Sequence, residues 1–173
     1  SIDKKGRAFY SLNFHDKPVI LNSGLGFILK DNVEWMKIDT LDMMNNFKVL
    51  NITFDSVDEY WNPVWGEESE IRNNYNEMFV ELEQKESERK VNIRFRLFDD
   101  SLGFRYEFPL QEKLGSFIII DEKTEFAMAG DHTAMWIPGD YDTQEYNYTT
   151  SKLSEIEQKS IEFREENVSM HRF

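Results

Sequence analysis

The chain has 173 residues, with 20 Lys and Arg against 33 Asp and Glu, so its formal charge is −13 at neutral pH. That balance argues against nucleic acid and anionic membranes as partners, since both attract clustered positive charge. Aromatic residues at 14% are too many for a solvated disordered chain, cysteine is absent, and the longest apolar runs are Leu25–Leu29 and Phe117–Ile120, far short of a membrane span.

Period-two alternation dominates the sequence ahead of Gly130 and predicts strands with one buried face. Ala8, Tyr10, Leu12 and Phe14 alternate, and His15-Asp16-Lys17 turns the chain into a second strand over Pro18–Leu21. Gly24-Leu25-Gly26-Phe27 lacks the third glycine and the helix of a dinucleotide fingerprint, so it reads as a turn between strands. Further strands are predicted at Gly26–Lys30, Phe47–Phe54, Met78–Gln84, Phe117–Ile120 and Glu125–Ala129. Val91, Ile93, Phe95 and Leu97, then Phe104, Tyr106 and Phe108 across Asp99-Asp100-Ser101-Leu102-Gly103, predict an antiparallel hairpin. The fold class expected is all-β, a sandwich of antiparallel sheets.

From Ser151 the character changes. Leu153, Ile156, Ser160 and Phe163 share a helical face, Ser154 and Glu157 have capping-box spacing, and Glu155–Asn167 lacks Pro and Gly. A short C-terminal helix is predicted there.

The candidate chemistry lies in two clusters. Gly130–Thr150 places Asp131, Asp140, Asp142 and Glu145 among Trp136, Tyr141, Tyr146 and Tyr148. Carboxylates in a loop suit a hard cation such as calcium, though not with EF-hand spacing. Aromatic faces beside carboxylates suit a sugar ring. The bland reading is an acidic loop pinned to the sheet by its aromatics. Trp61–Glu77 reads as an irregular crossover between strands, with Trp61 and Trp65 capping the core and Arg72 paired to a carboxylate. His15, His132 and His171 form no local zinc motif.

PVWGE followed by IRNNYNE, FRLFDDSLGFRYEFP and GDHTAMWIPGDYDTQEY, with the opening GRAFYSLNFHDKPVILNSGLGFILKD, resembles the N-terminal domain of glycoside hydrolase family 97. The resemblance spans Gly6–Ile156 and rests on motifs in matching order. It implies a β-supersandwich like that of galactose mutarotase over residues 1–156, with 157–173 a tail, and a (β/α)₈ barrel outside this chain carrying the catalytic carboxylates. It implies an α-glucosidase or α-galactosidase of bacterial starch-utilisation type, periplasmic or secreted, with calcium beside the scissile sugar. By its place in YDTQEY, Glu145 is matched to the one calcium ligand that this domain supplies; Trp136 and His132 are the residues expected to meet oligosaccharide.

Glycoside hydrolysis needs two carboxyl groups about 5 to 9.5 Å apart, and the resemblance puts both in the barrel. The chain is therefore expected to be non-catalytic alone, to form one wall of an active site, and to self-associate through exposed strand edges. Two alternatives belong to other classes. One is a free-standing carbohydrate-binding module built on Trp136 and its tyrosines; the other is a mutarotase-like enzyme, which needs a histidine acid and a carboxylate base in one cleft.

Overall fold

The computed structural model describes residues 1–31, 40–139 and 145–166. The chain divides into two compact units, one formed by Ser1–Tyr10 and Asn22–Glu125, the other by Ser11–Leu21 and Phe126–Phe173. The fold is all-β as expected, with antiparallel sheets and one short C-terminal helix.

Strands β1 (Ala8–Phe14) and β2 (Lys17–Leu25) form a two-stranded sheet, and each runs from one unit into the other. Their two-residue connection, His15 and Asp16, has φ of 46° and 61°. Positive φ at both central residues matches the right-handed twist of the flanking strands, and a short Asp side chain tolerates it. β2 does not turn back at Gly24–Gly26. Instead Gly26, at φ 152°, passes the chain into β3 (Phe27–Asp31), which belongs to a different sheet. The turn predicted there is thus a crossing between sheets.

The first unit holds a three-stranded sheet ordered β4 (Thr40–Met43), β3, β9 (Phe117–Glu122). It also holds a four-stranded sheet of β5 (Phe47–Trp61), β6 (Ile71–Gln84), β7 (Lys90–Leu97) and β8 (Leu102–Glu107) in that order. The predicted β7–β8 hairpin is present, and its register sets Phe95 opposite Phe104. The two sheets meet through aromatic side chains. Phe27 stands edge-on to Tyr106 at 4.3 Å between ring centroids and Phe108, just after β8, lies 4.7 Å from Phe117, while Tyr10 of β1 joins the cluster 5.3 Å from Phe104. Leu29, Met43, Phe47, Leu82, Val91 and Ile93 are buried in the same unit. Burial drives the Tyr106 phenol up to about 12, and its hydroxyl is paired with Thr124 Oγ1 at 2.7 Å. Buried Gln84 donates from Nε2 to the carbonyls of Asp42 and Asn45 at 2.7 and 3.0 Å, so its amide is satisfied where the end of β6 meets the turn after β4.

Two expectations need correction. Glu125–Ala129 is not a strand; its segment is extended and makes one isolated bridge, Met128 to Ile20, beside hydrogen bonds from Leu21 N–H to Ala127 and Ala129 N–H to Val19. Trp61–Glu77 is not a crossover that caps the core. β5 and β6 run 15 and 14 residues as one long hairpin, and the segment between them is its turn. Trp61 is half exposed, Trp65 is 89% exposed and Val64 99%. Along this arm polar side chains replace a core. Ser56 Oγ donates to Asn76 Oδ1 at 2.7 Å, and Arg72 clasps Asp58 through Nε and Nη2, both at 2.7 Å. The expected Arg72–carboxylate pair is therefore present, and it holds the Asp58 carboxyl below its usual range.

Candidate functional site

The Gly130–Thr150 cluster lies in the second unit and is organised by a short strand pair, β10 (Thr133–Trp136) against β11 (Thr149–Lys152). The register sets Trp136 opposite Thr149 and Thr133 opposite Lys152. Alternation along β10 turns Thr133 and Met135 to solvent and leaves Ala134 and Trp136 half-buried. The indole N–H of Trp136 donates to Ser151 Oγ at 3.0 Å, and that hydroxyl donates to the Lys152 carbonyl at 2.9 Å. The ring is thereby fixed by its polar edge, leaving its faces as the means of contact with anything else.

His132 is exposed and anchored by its backbone: its carbonyl accepts from Leu153 N–H at 3.0 Å, and its imidazole Nε2 lies 3.4 Å from where a Cβ on Gly130 would sit. Glu145 is exposed on the connection from β10 to β11, followed by half-buried Tyr146 and exposed Tyr148. Asp140, Tyr141 and Asp142 lie outside the described residues, as does His171. Among the described residues no group of three or more His, Asp or Glu side chains could hold a metal ion.

Asp131 has a different role from its neighbours. Its carboxylate accepts from the Ser154 N–H at 3.0 Å and the Ser154 Oγ at 2.9 Å. Ser154 sits in a 3₁₀ turn, Leu153–Glu155, which leads directly into α1, Ile156–Glu166. The helix thus occupies the predicted segment, but Glu155 reaches back to Lys152 N–H, at 3.3 Å. The box predicted from Ser154 and Glu157 is displaced because Asp131 already engages Ser154. Those bonds from Ser154, backbone first, lower the Asp131 carboxyl below its usual 3.8. A depressed carboxyl stabilises the fold above its unfolded value of about 3.9, and that contribution is lost as pH falls through the folded value. The Ser154 amide resonance should therefore titrate with a midpoint below 3.8, and Asp131→Ala should speed its hydrogen exchange at neutral pH. An Ser154 amide that exchanges at the same rate in both proteins would refute the cap.

A second charged cluster escaped the sequence reading. On the outward face of the four-stranded sheet, Arg94, Arg96 and Arg105 are laced to Glu77 and Glu107. The bond from Arg94, then that from Arg105, holds the Glu107 carboxyl below its usual range. The available signal was the pair of arginines at alternate positions of β7, which by spacing alone is any solvated strand face.

The chain is an all-β domain whose carboxylate-bearing loop lies in a separate unit, and comparison with known proteins gives the family. The profile described as "Glycosyl-hydrolase 97 N-terminal" matches residues 1–169, and the chain belongs to that family. A retaining alpha-galactosidase of Bacteroides thetaiotaomicron is 24% identical over 169 residues, 91% of this chain and 23% of that protein. Two solved structures of a family 97 enzyme from Pseudoalteromonas sp. strain K8 are each 34% identical with a TM-score of 0.75. One is a glutamate-to-glutamine variant in complex with panose, the other a complex with acarbose; each match covers 87% of this chain and 22% of the enzyme. The chain thus spans less than a quarter of the length of these relatives.

Proposed function

We propose that this chain is the non-catalytic N-terminal part of a calcium-dependent α-glycosidase acting outside the cytoplasm on α-glucosides or α-galactosides. It forms one wall of the active site, and Glu145 supplies one oxygen ligand to a calcium ion held chiefly by the adjacent (β/α)₈ barrel. Trp136 offers a ring face, and His132 a ring nitrogen, to the sugar. The relatives' names support the substrate class: one is an alpha-galactosidase, and another is captured with panose and with acarbose.

The observation that carries this reading is the exposed place of Glu145 on the connection between β10 and β11. A structural carboxylate of the core would be buried; a ligand shared with another domain needs access. A carboxylate oxygen suits a hard cation, but calcium takes about 6 to 8 oxygens. The described residues offer no set of three acidic or histidine side chains, so this chain alone should hold calcium weakly.

The test is Glu145→Gln in the complete enzyme, which removes one charge and keeps side-chain size. Calcium affinity by titration calorimetry should fall by at least about 10-fold, in line with the sensitivity of metal sites to their ligand shells. The kcat/KM for an aryl α-glycoside should fall with it, while the thermal midpoint measured without calcium stays put. Unchanged calcium affinity would remove Glu145 from the metal.

A further inference from the structure

Strands β7 and β8 alternate, so Arg94 and Arg96 share the outward face of the sheet with Gly103, Arg105 and Glu107. The register sets Arg94 opposite Arg105, and Arg96 opposite Gly103, with Glu77 of β6 on the other side of Arg96. Arg96 across from it and Arg105 two residues on carry long side chains, and Gly103 carries none. A Cβ built there meets no atom within 4 Å. The result is a notch of about 180 Å³ lined by Arg94, Arg96, Phe98, Gly103, Phe104 and Arg105.

The guanidiniums around it are held in place. Arg94 lies over the Phe79 ring and Arg96 over the Tyr75 ring, each 4.3 Å from the centroid. Arg94 donates to Glu77 and from Nε to Glu107, the latter at 2.7 Å, and Arg105 donates to the same Glu107 oxygen from Nε and Nη2. Arg96 donates from Nε to Glu77 Oε2 at 2.9 Å, and among the described residues its two Nη groups have no protein acceptor. Three cations therefore face two carboxylates, in a chain that is strongly acidic elsewhere. The pair of Nη groups on a fixed planar fork matches two oxygens of an oxyanion.

We infer that the Gly103 notch is a binding site for a small oxyanion, a phosphate or a carboxylate, gripped by the Nη edge of Arg96 with Arg105 beside it. The site is open to solvent, so binding weakens as salt rises.

The test uses the full 173-residue chain, titrated by NMR with sodium phosphate and separately with sodium acetate, at ionic strength held constant with sodium chloride. Saturable shifts centred on the Gly103 amide and the Nε–H of Arg96 and Arg105, with either anion, support the site; which anion saturates identifies the source. Gly103→Val fills the notch with a residue that favours strands and should weaken binding by at least 10-fold without lowering the thermal midpoint. If Gly103→Val does not fold, Arg96→Gln should produce the same loss. Saturation by neither anion, shifts no different from those of chloride, or unchanged binding in a folded Gly103→Val or Arg96→Gln protein overturns the inference.

Discussion

Leu29→Ala should destabilise the first unit by about 2–5 kcal/mol. With a urea dependence of about 1–3 kcal/mol per molar, the midpoint falls by about 1 M or more. Leu29 is 0% exposed and occupies the middle strand of the three-stranded sheet, paired to Leu41 on β4 and to Ile119 on β9. It is therefore hemmed in along the sheet on both sides and covered on its face. Truncation loses its transfer free energy and leaves a cavity that neighbours on paired strands collapse into only in part. Ile119, its own register partner, is 50% exposed, so Ile119→Ala keeps much of its change in water and should cost about 1 kcal/mol. The contrast separates packing from strand propensity, because both substitutions replace a good strand residue with the same poor one in paired strands. Equal midpoints for the two variants would show that Leu29 is not a core residue.

What the sequence revealed of this fold follows from how burial writes itself into a chain. Val91, Ile93 and Phe95 alternate because one face of β7 is covered and the other is not. The β5–β6 arm left no such mark beyond Phe54, since apart from buried Tyr75 its side chains are largely exposed and pair across the strands instead. Asp58 with Arg72, Ser56 with Asn76, and Asn73 with Glu59 are cross-strand partners that look in sequence like loop chemistry. β4, β10 and β11 are four residues each and polar or mixed, too short for a period to emerge. The candidate site is legible in a different sense. Glu145 is one glutamate among many in an acidic chain, and only the order of whole motifs singles it out. Asp131, grouped with it by composition, is occupied with Ser154 and so drops out of any ligand set drawn from this loop. The Arg94, Arg96 and Arg105 cluster depends on register between neighbouring strands, which no single strand's pattern contains.

Gly26→Val should destabilise the same unit severely, and for a reason independent of hydrophobic burial. At φ 152° the Gly26 backbone is in a region that L side chains rarely adopt. A Cβ there would lie 2.7 Å from the Met43 carbonyl oxygen and 3.1 Å from the Met44 Cα, besides crowding the Met44 sulfur at 2.6 Å. The sulfur ends a flexible side chain and can move; the carbonyl cannot move without displacing β4. Phe27 pairs directly with Met43, and Met43 is buried on the edge strand of Leu29's own sheet, so such a shift would open the core at its edge. On the other side the Gly26 carbonyl accepts from Lys123 N–H at 2.9 Å, which ties the crossing to the segment after β9 and blocks retreat. Backbone strain of this kind costs on the order of 1–3 kcal/mol, before the steric displacement is counted. Gly115→Ala is the control: no atom lies within 4 Å of its Cβ and its φ is not in the left-handed range, so it should change stability by less than about 0.5 kcal/mol. A Gly26→Val protein with the parent's urea midpoint and an unchanged Phe27–Met43 amide pairing pattern would mean that β3 and β4 do not approach as closely as this crossing requires.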